Sequence, residues 1–420
     1  MDKVEQGNMV SSAKGRKLVW FMFLMFLVST LNMADRQIIG IVAEPIKREF
    51  GISDTLLGLL GGTAFALVYP PLGLPIARLA DRFNRRNILS FCLGFWSLAT
   101  AACSLATGFW WLLLARIGVA GGEAGYAPCS HSLIADSVDE KRRATAFAIL
   151  VTGISAGGFL ASALGGYVAQ HYGWRYAFLA IGLPGLLVAL LLRFTLQEPE
   201  RVAAPTGATA WHVYRRLLRN RAFSWCVSGS ALHLVVTYGL GAWAVVWFVR
   251  GHDMSLAAAG LALGALGAIA GALGSVCGGL VGDRLALIDR RWLGWWPAIT
   301  VLVAALVGAP AFLTRDVNFA IAGVTLAVFL NALYQPSTYA LVQSVAAPSE
   351  RASAAALMIF FQNLVGLGFG PVAIGIASDL MTPGLGKNAL GLALAAVFLF
   401  NIGASIAYLQ SARFLNDKGE

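Results

Sequence analysis

The sequence has few charged residues for its length. Asp, Glu, Lys and Arg make up 12% of the 420 residues, whereas hydrophobic residues make up 58%. Soluble globular chains carry about twice that share of charge, and a soluble chain of this length would form more than one domain, each with a polar surface. The 31 basic and 21 acidic residues are too few for that. The composition therefore predicts a helical protein that crosses a membrane many times.

Groups for metal or covalent chemistry are also scarce. The five cysteines lie in apolar stretches without a C-x-x-C pair, and the five histidines are scattered, with no two at metal-ligand spacing. No phosphate-binding loop is present, which argues against an ATP-driven pump. We therefore expect no catalytic residue, no metal site and no cofactor. An integral membrane enzyme and a channel remain alternatives, but no motif supports either.

Twelve apolar segments, each long enough to cross a bilayer, can be marked along the chain. The longest polar interruption follows the sixth segment, so the chain divides into six spans plus six. We predict bundles of six helices at 18–195 and 223–412 and a cytoplasmic central loop at 196–222. The flanking residues 1–17 and 413–420 are predicted as cytoplasmic tails.

The basic residues are distributed unevenly among the predicted loops. Loops and tails on the side of the termini carry 23 Lys and Arg, and those on the opposite side carry 6. By the positive-inside rule, both termini are cytoplasmic, and we expect the cell (inner) membrane as the location. The net charge of +10 is then an orientation signal, so no nucleic acid partner is expected. The basic patch at 215–221 is predicted to lie beside anionic membrane lipids.

Two motifs recur at nearly the same spacing in the two halves. Asp81 follows the second span and Asp283 follows the eighth, 202 residues later, each in an Asp-Arg pair ahead of further arginines. Arg143 and Arg351 each begin an Arg-Ala-(Thr/Ser)-Ala sequence, 208 residues apart. Two independent signals at similar offsets indicate that the halves are related by duplication.

The loop after the second span resembles a family signature. Residues 77–86 read ARLADRFNRR, which is similar to the G-x-L-A-D-R-x-G-R-[RK] motif of the major facilitator superfamily. The resemblance implies two pseudo-symmetric six-helix bundles around a central cavity. It also implies that Asp81, Arg85 and Asp136 hold the cytoplasmic side closed through charge pairs and helix dipoles. The other predicted gating residues are Arg82, Asp283 and Arg284. Alternatively, these charges only anchor helix ends.

Four charged residues lie well inside predicted spans: Asp35 and Arg36 in the first, Arg116 and Glu123 in the fourth. An ionisable group in the hydrocarbon region costs at least about 2.5–3.5 kcal/mol, so each needs a partner or a cavity. Arg116 and Glu123 are two helical turns apart and share one face, and Asn32 lies one turn before Asp35. We expect these residues to converge and to respond to protonation or substrate; purely structural ion pairs are the alternative.

The local sequence resembles the Spinster branch of the superfamily. Residues 32–36 read NMADR and 116–124 read RIGVAGGEA, similar to the motifs N-x-x-D-R and R-x-x-x-G-x-G-E-A of that branch. The resemblance implies a proton-coupled transporter with Asp35 as the proton site. Arg36 and Arg116 would pair with it or with an anionic head group, and Glu123 would be a second coupling or substrate residue. Animal members of the branch move lysolipids and sphingoid phosphates.

Polar residues in the second half could form the opposite wall of such a site. We predict that Asn331, Tyr334 and Gln335 in the tenth span contact the substrate, with hydrogen bonds between helices as an equal alternative. The predicted function is proton-coupled secondary transport of an amphiphilic, anionic small molecule by a monomer. A drug or metabolite efflux antiporter and a lipid flippase of the same fold remain alternatives.

Overall fold

The computed structural model describes residues 2–139, 142–199, 210–347 and 350–415, without the side chains of 2–15, 144, 210–212 and 352. Residue 1 of the predicted N-terminal tail, 200–209 of the predicted central loop and 416–420 of the predicted C-terminal tail lie outside the described residues. All regular secondary structure in the described ranges is helical.

Twenty α-helices follow one another in these ranges: α1 Asp2–Ile41, α2 Ala43–Phe50, α3 Asp54–Gly58, α4 Ala64–Arg82, α5 Arg85–Cys103, α6 Phe109–Glu123, α7 Tyr126–Ser137, α8 Arg143–Leu160, α9 Gly166–Tyr172, α10 Trp174–Thr195, α11 Ala210–Arg219, α12 Arg221–Gly251, α13 Leu256–Ile288, α14 Trp292–Ala311, α15 Val317–Ala332, α16 Gln335–Val345, α17 Arg351–Phe361, α18 Gly368–Leu385, α19 Ala389–Val397 and α20 Leu399–Arg413. Several predicted spans are therefore built from two or three consecutive helices.

Nine segments of the described chain are long and apolar enough to cross a membrane. One of them, Ser353–Arg413, has 61 residues, which is enough for two crossings. Two further parts of the chain lie outside this set but match the third and fourth predicted spans. The first is α5, which begins with two arginines. The second is the pair α6–α7, which is interrupted after Glu123. The all-helical membrane fold predicted from the sequence is confirmed.

Large apolar side chains cover much of the surface. Phe91, Trp110 and Phe194 are each more than 70% exposed, and many Leu and Ile residues accompany them. A soluble protein rarely exposes such extensive apolar surface. These faces are suited to contact with lipid tails.

The two halves share the same irregularities. The fourth span is interrupted between α6 and α7, and the tenth is interrupted in the same way between α15 and α16. The fifth span contains a π-helical turn at Ala161–Gly165, and the eleventh contains one at Gln362–Leu367. Both interruptions lie next to a polar residue, since Glu123 is the last residue of α6 and Asn331 is the penultimate residue of α15.

Packing divides the chain into two units. The first contains residues 1–38 and 68–204, and the second contains 39–67 and 205–420. Segment 39–67 comprises the end of α1, the helices α2 and α3, a π-helical turn at Leu59–Thr63 and the start of α4. It contains the end of the first span and the beginning of the second but packs with the second half, an arrangement that the sequence did not predict.

Candidate functional site

The first unit brings two of the predicted residues, Asn32 and Arg36, to the carboxylate of a third, Glu123. Glu123, at the C-terminal end of α6, is 0% exposed. Its Oε2 accepts a hydrogen bond from Arg36 Nε at 2.6 Å and another from Asn32 Nδ2 at 2.8 Å. Asn32 and Arg36 are four residues apart on α1, so they lie on one face and reach the same partner. A carboxylate is unfavourable at a helix C-terminus, and these two donors offset that cost.

Arg36 has a second contact that keeps it at the edge of this cluster. Its guanidinium carbon lies 4.4 Å from the centre of the Tyr69 ring, in cation–π geometry. The Arg36 side chain remains 20% exposed, whereas that of Glu123 is fully buried. Arg36 is therefore the cation of the cluster that keeps contact with solvent-accessible space.

Asp35 is in a different situation from Glu123. It is 1% exposed, and neither of its carboxylate oxygens has a hydrogen-bond partner among the described residues. Arg116, which is equally buried, donates from Nη1 to the main-chain oxygen of Asp35 at 2.9 Å. The structure thus pairs Arg36 with Glu123, and it joins Arg116 to the backbone of Asp35 and not to its carboxylate.

Helix α5 contributes polar groups that the sequence prediction missed. Trp96, Ser97 and Thr100 are 0% exposed, and the indole nitrogen and both hydroxyls have no hydrogen-bond partner within the described ranges. Thr100 and Trp96 face the Asp35 carboxylate without reaching hydrogen-bond geometry. The sequence signal that could have identified them is the occurrence of two hydroxyls and an indole in a stretch of five residues inside an apolar span.

Close helix packing holds α5 against the end of α6. A Cβ on Gly122 would lie 2.7 Å from Cβ of Trp96 and 2.9 Å from its main-chain nitrogen. A Cβ on Gly125 would lie 2.4 Å from Sγ of Cys92. The glycines that flank Glu123 therefore allow α5 and α6 to approach more closely than any side chain would permit.

The predicted gating residues fall into two groups. Arg85 is 3% exposed and binds Asp136 and Glu198, with Nε of Arg85 2.9 Å from Oε1 of Glu198. Burial acts to lower the pKa of the Arg85 guanidinium, but its hydrogen bonds to Glu198 and Asp136 outweigh burial and raise that pKa. Glu198 was not predicted, because nothing in the sequence of the loop distinguishes it. The other predicted gating residues are exposed: Asp81 and Arg82 end α4, and Asp283 and Arg284 lie inside α13, near its C-terminal end.

The predicted substrate residues of the second unit differ in their surroundings. Asn331 is 7% exposed, and its Oδ1 accepts a hydrogen bond from Asn401 Nδ2 at 3.2 Å. Asn401 Oδ1 lies 2.9 Å from Nδ1 of His233, and the ring of Tyr334 lies 4.2 Å from the His233 ring. Gln335 is exposed. Asn331 and Tyr334 therefore belong to a buried network between helices, and a role in substrate contact stays a prediction.

Comparisons with known proteins agree with this fold. A sequence-family model, that of the Major Facilitator Superfamily, matches residues 25–371. An MFS-type efflux pump of Mycolicibacterium smegmatis is 33% identical over 93% of this chain and 92% of its own length. Human protein spinster homolog 1 is 28% identical over 92% of this chain and 78% of its own length.

Solved structures are similar over nearly the whole chain. A bacterial homologue of the human lysosomal transporter Spinster, in an inward-facing and unoccupied conformation, has a TM-score of 0.88 at 30% identity, covering 96% of this chain and 99% of that one. A D-xylose–proton symporter has a TM-score of 0.73 at 17% identity, covering 92% and 96%, which supports the fold alone. The chain therefore belongs to the major facilitator superfamily and is a Spinster-like transporter, not an enzyme.

Proposed function

We propose that this transporter couples the movement of an amphiphilic, anionic small molecule to protons by alternating access. The observation that carries the proposal is the pair of buried carboxylates in the first unit. Glu123 has two charged or polar donors, whereas Asp35 has none at hydrogen-bond distance among the described residues. The two acids have similar burial but unequal compensation, so they are suited to different roles.

Asp35 carries the coupled proton in this proposal. An ionised carboxylate without donors costs several kcal/mol in a low-dielectric interior, and protonation removes that charge. Thr100, Trp96 and Arg116 lie close enough to serve as donors after a small movement. The side chain can therefore release its proton when the surrounding helices shift, which is what coupling to a proton gradient requires.

Glu123 and the two arginines bind the substrate or respond to it. Arg36 is partly exposed, and its bond to Glu123 can be exchanged for a bond to a phosphate or carboxylate, which guanidinium groups bind well. Tyr69, beside Arg36, offers an aromatic face to an apolar chain. These features support an anionic head group attached to an apolar tail, the chemistry suggested by the Spinster relatives.

The orientation follows from the charge distribution. The excess of Lys and Arg on the side of the termini supports cytoplasmic termini in the cell membrane. Segment 39–67 then contains the external end of the first span. Transport powered by the proton gradient needs no cofactor, and a monomer is sufficient because all the proposed proton-site residues lie in one chain.

Export of unrelated amphiphiles is a second candidate, supported by the 33% identity to an MFS-type efflux pump over 93% of the chain. The two functions differ in selectivity. A dedicated lipid transporter is expected to discriminate by head group, whereas an efflux pump is expected to accept apolar cations and neutral compounds as well.

Purified protein in liposomes tests the proposal. The probes are lysophosphatidylglycerol, which is anionic, and monoacylglycerol, which is neutral, each followed with and without an imposed pH gradient. We expect gradient-dependent transport of the anionic probe, its loss in Asp35→Asn, and unchanged transport in Asp253→Asn, whose side chain is 84% exposed. Gradient-driven transport by Asp35→Asn at the wild-type rate would refute the coupling role.

A further inference from the structure

A dense ion-pair cluster lies within the second unit and shares no residue with the carboxylate cluster of the first unit. Arg250, at the C-terminal end of α12, donates to Asp54 Oδ2 from Nη1 at 2.8 Å and to Glu44 Oε2 from Nη2 at 2.8 Å. The side chains of Asp54, Glu44 and Arg250 are 0%, 9% and 17% exposed. A guanidinium with two buried carboxylate partners is among the strongest polar contacts available to a protein.

Further donors complete the shell around Asp54. Lys47 Nζ lies 2.5 Å from Asp54 Oδ1, and Ser378 Oγ donates to Oδ2 at 2.6 Å. Arg48 Nε donates to Glu44 Oε1 at 3.1 Å. With Arg250 on α12, the cluster draws on four helices, because Lys47 and Arg48 lie on α2, Asp54 lies on α3, and Ser378 lies on α18.

The same α18 holds the start of α3 through a second carboxylate. Asp379 accepts hydrogen bonds from the main-chain nitrogens of Asp54 and Thr55 at 3.0 and 2.8 Å, and from the Thr55 hydroxyl at 2.6 Å. The cluster contains three acidic residues and three basic residues, so its charges balance. The acids are Glu44, Asp54 and Asp379, and the bases are Lys47, Arg48 and Arg250.

Glycines make the neighbouring contact unusually close. A Cβ on Gly62 would lie 2.3 Å from the main-chain oxygen of Leu367, and one on Gly58 would lie 2.5 Å from that of Pro371. A Cβ on Gly375 would lie 2.3 Å from the main-chain oxygen of Asp54. Backbone therefore packs on backbone where Gly58, Gly62 and Gly375 meet their partners.

Segment 39–67 is continuous at both ends with helices that belong to the first unit. Opening of a transporter on this side requires the segment to part from α12 and α18. We propose that the residues Glu44, Lys47, Asp54, Arg250, Ser378 and Asp379, the outer latch, form the gate on the side opposite the termini. This inference rests on the alternating-access part of the proposed function but not on proton coupling or on the substrate.

An engineered disulfide measures the closed state of the latch directly. A Cβ on Gly61 would lie 4.0 Å from Cβ of Ala242 on α12, within the 3.5–4.5 Å that disulfides require. The double variant Gly61→Cys/Ala242→Cys is oxidised in membranes and then denatured in SDS with a maleimide-polyethylene glycol reagent. The five native cysteines are free, so cross-linked protein shows five modified thiols and uncross-linked protein shows seven.

We expect the pair to cross-link readily in the otherwise unaltered chain and about tenfold more slowly when Arg250→Ala is added. The matched control is Lys387→Ala, which removes a basic residue whose contact with Asp253 is 3.8 Å long and exposed on both sides. Its cross-linking rate should equal that of the parent. Asp54→Asn, which keeps the size of the side chain, should slow cross-linking as well and serves as the second test if Arg250→Ala does not fold.

Equal cross-linking rates in the parent, Asp54→Asn and every folded Arg250 variant would overturn the latch. The measurement uses no substrate and no pH gradient, so its outcome is separable from the proposed function. In liposomes, the oxidised double variant should lose transport of lysophosphatidylglycerol and recover it on reduction. Full transport by the cross-linked protein would also overturn the assignment of a gate.

Discussion

The unequal surroundings of the two buried acids predict that their neutral variants differ in stability. Glu123→Gln removes the charge that binds Arg36 and Asn32 at 2.6 and 2.8 Å. Asp35→Asn removes a charge that makes no hydrogen bond within the described residues. The two substitutions are alike in chemistry and similar in depth, so a difference between them reports the contacts and not the burial.

The size of the difference follows from these contacts. Removing one partner of a buried ion pair costs about 3–5 kcal/mol. Arg36 is 20% exposed and keeps the ring of Tyr69, and a glutamine oxygen can still accept one hydrogen bond. We therefore expect Glu123→Gln to lower the free energy of unfolding by about 2 kcal/mol, and Asp35→Asn to lower it by less than about 1 kcal/mol.

The native cysteines provide the assay. Four of the five are buried, so a thiol-reactive fluorophore reports thermal unfolding of the detergent-solubilised protein. Glu123→Gln should unfold at a lower temperature than Asp35→Asn, and Asp253→Asn should unfold at the wild-type temperature. If Asp35→Asn is the less stable of the two buried variants, the assignment of donors to Glu123 and of none to Asp35 is wrong.

Two further predictions concern packing and the cytoplasmic cluster. Arg85→Lys keeps the charge but loses the separate Nε and Nη1 donors that bind Glu198 and Asp136, so the unfolding temperature should fall by the equivalent of about 1–3 kcal/mol; an unchanged temperature would contradict the shared pairing. Gly122→Val should destabilise by about 1–3 kcal/mol or more through overpacking, whereas Gly121→Ala, whose Cβ would meet nothing closer than 3.6 Å, should not; equal effects in thermal unfolding would refute the close contact of α5 with α6.

The sequence determined the class of protein and the position of its unusual residues along the chain. Scarce charge, apolar runs and the bias of Lys and Arg among loops are properties of segments, and they can be counted without knowing how helices pack. For the same reason Asp35, Arg36, Arg116 and Glu123 could be singled out, because charges within spans are conspicuous wherever the helices lie.

The partners of these charges could not be read from the sequence. Arg36 was a candidate partner of Asp35 but binds Glu123, because the choice depends on how α1 and α6 are rotated about their axes. Thr100 and Trp96 lie in an apolar span, and nothing along the chain shows that they face Asp35. Spacing within one helix fixes which residues share a face, but it does not fix which face of a neighbour they meet.

The outer latch shows the same division most clearly. In the sequence Lys47, Arg48 and Arg250 are three of the few basic residues on the side opposite the termini, and there they serve only to establish orientation. Arg250 is about 200 residues from Glu44 and Asp54, so its pairing depends on the docking of segment 39–67 against α12 and α18.

The sequence by itself determined a membrane transporter with four exceptional charges, because composition and periodicity act locally. Only the tertiary structure decided which charges are compensated and which segment forms the latch, because those contacts join residues distant in the chain.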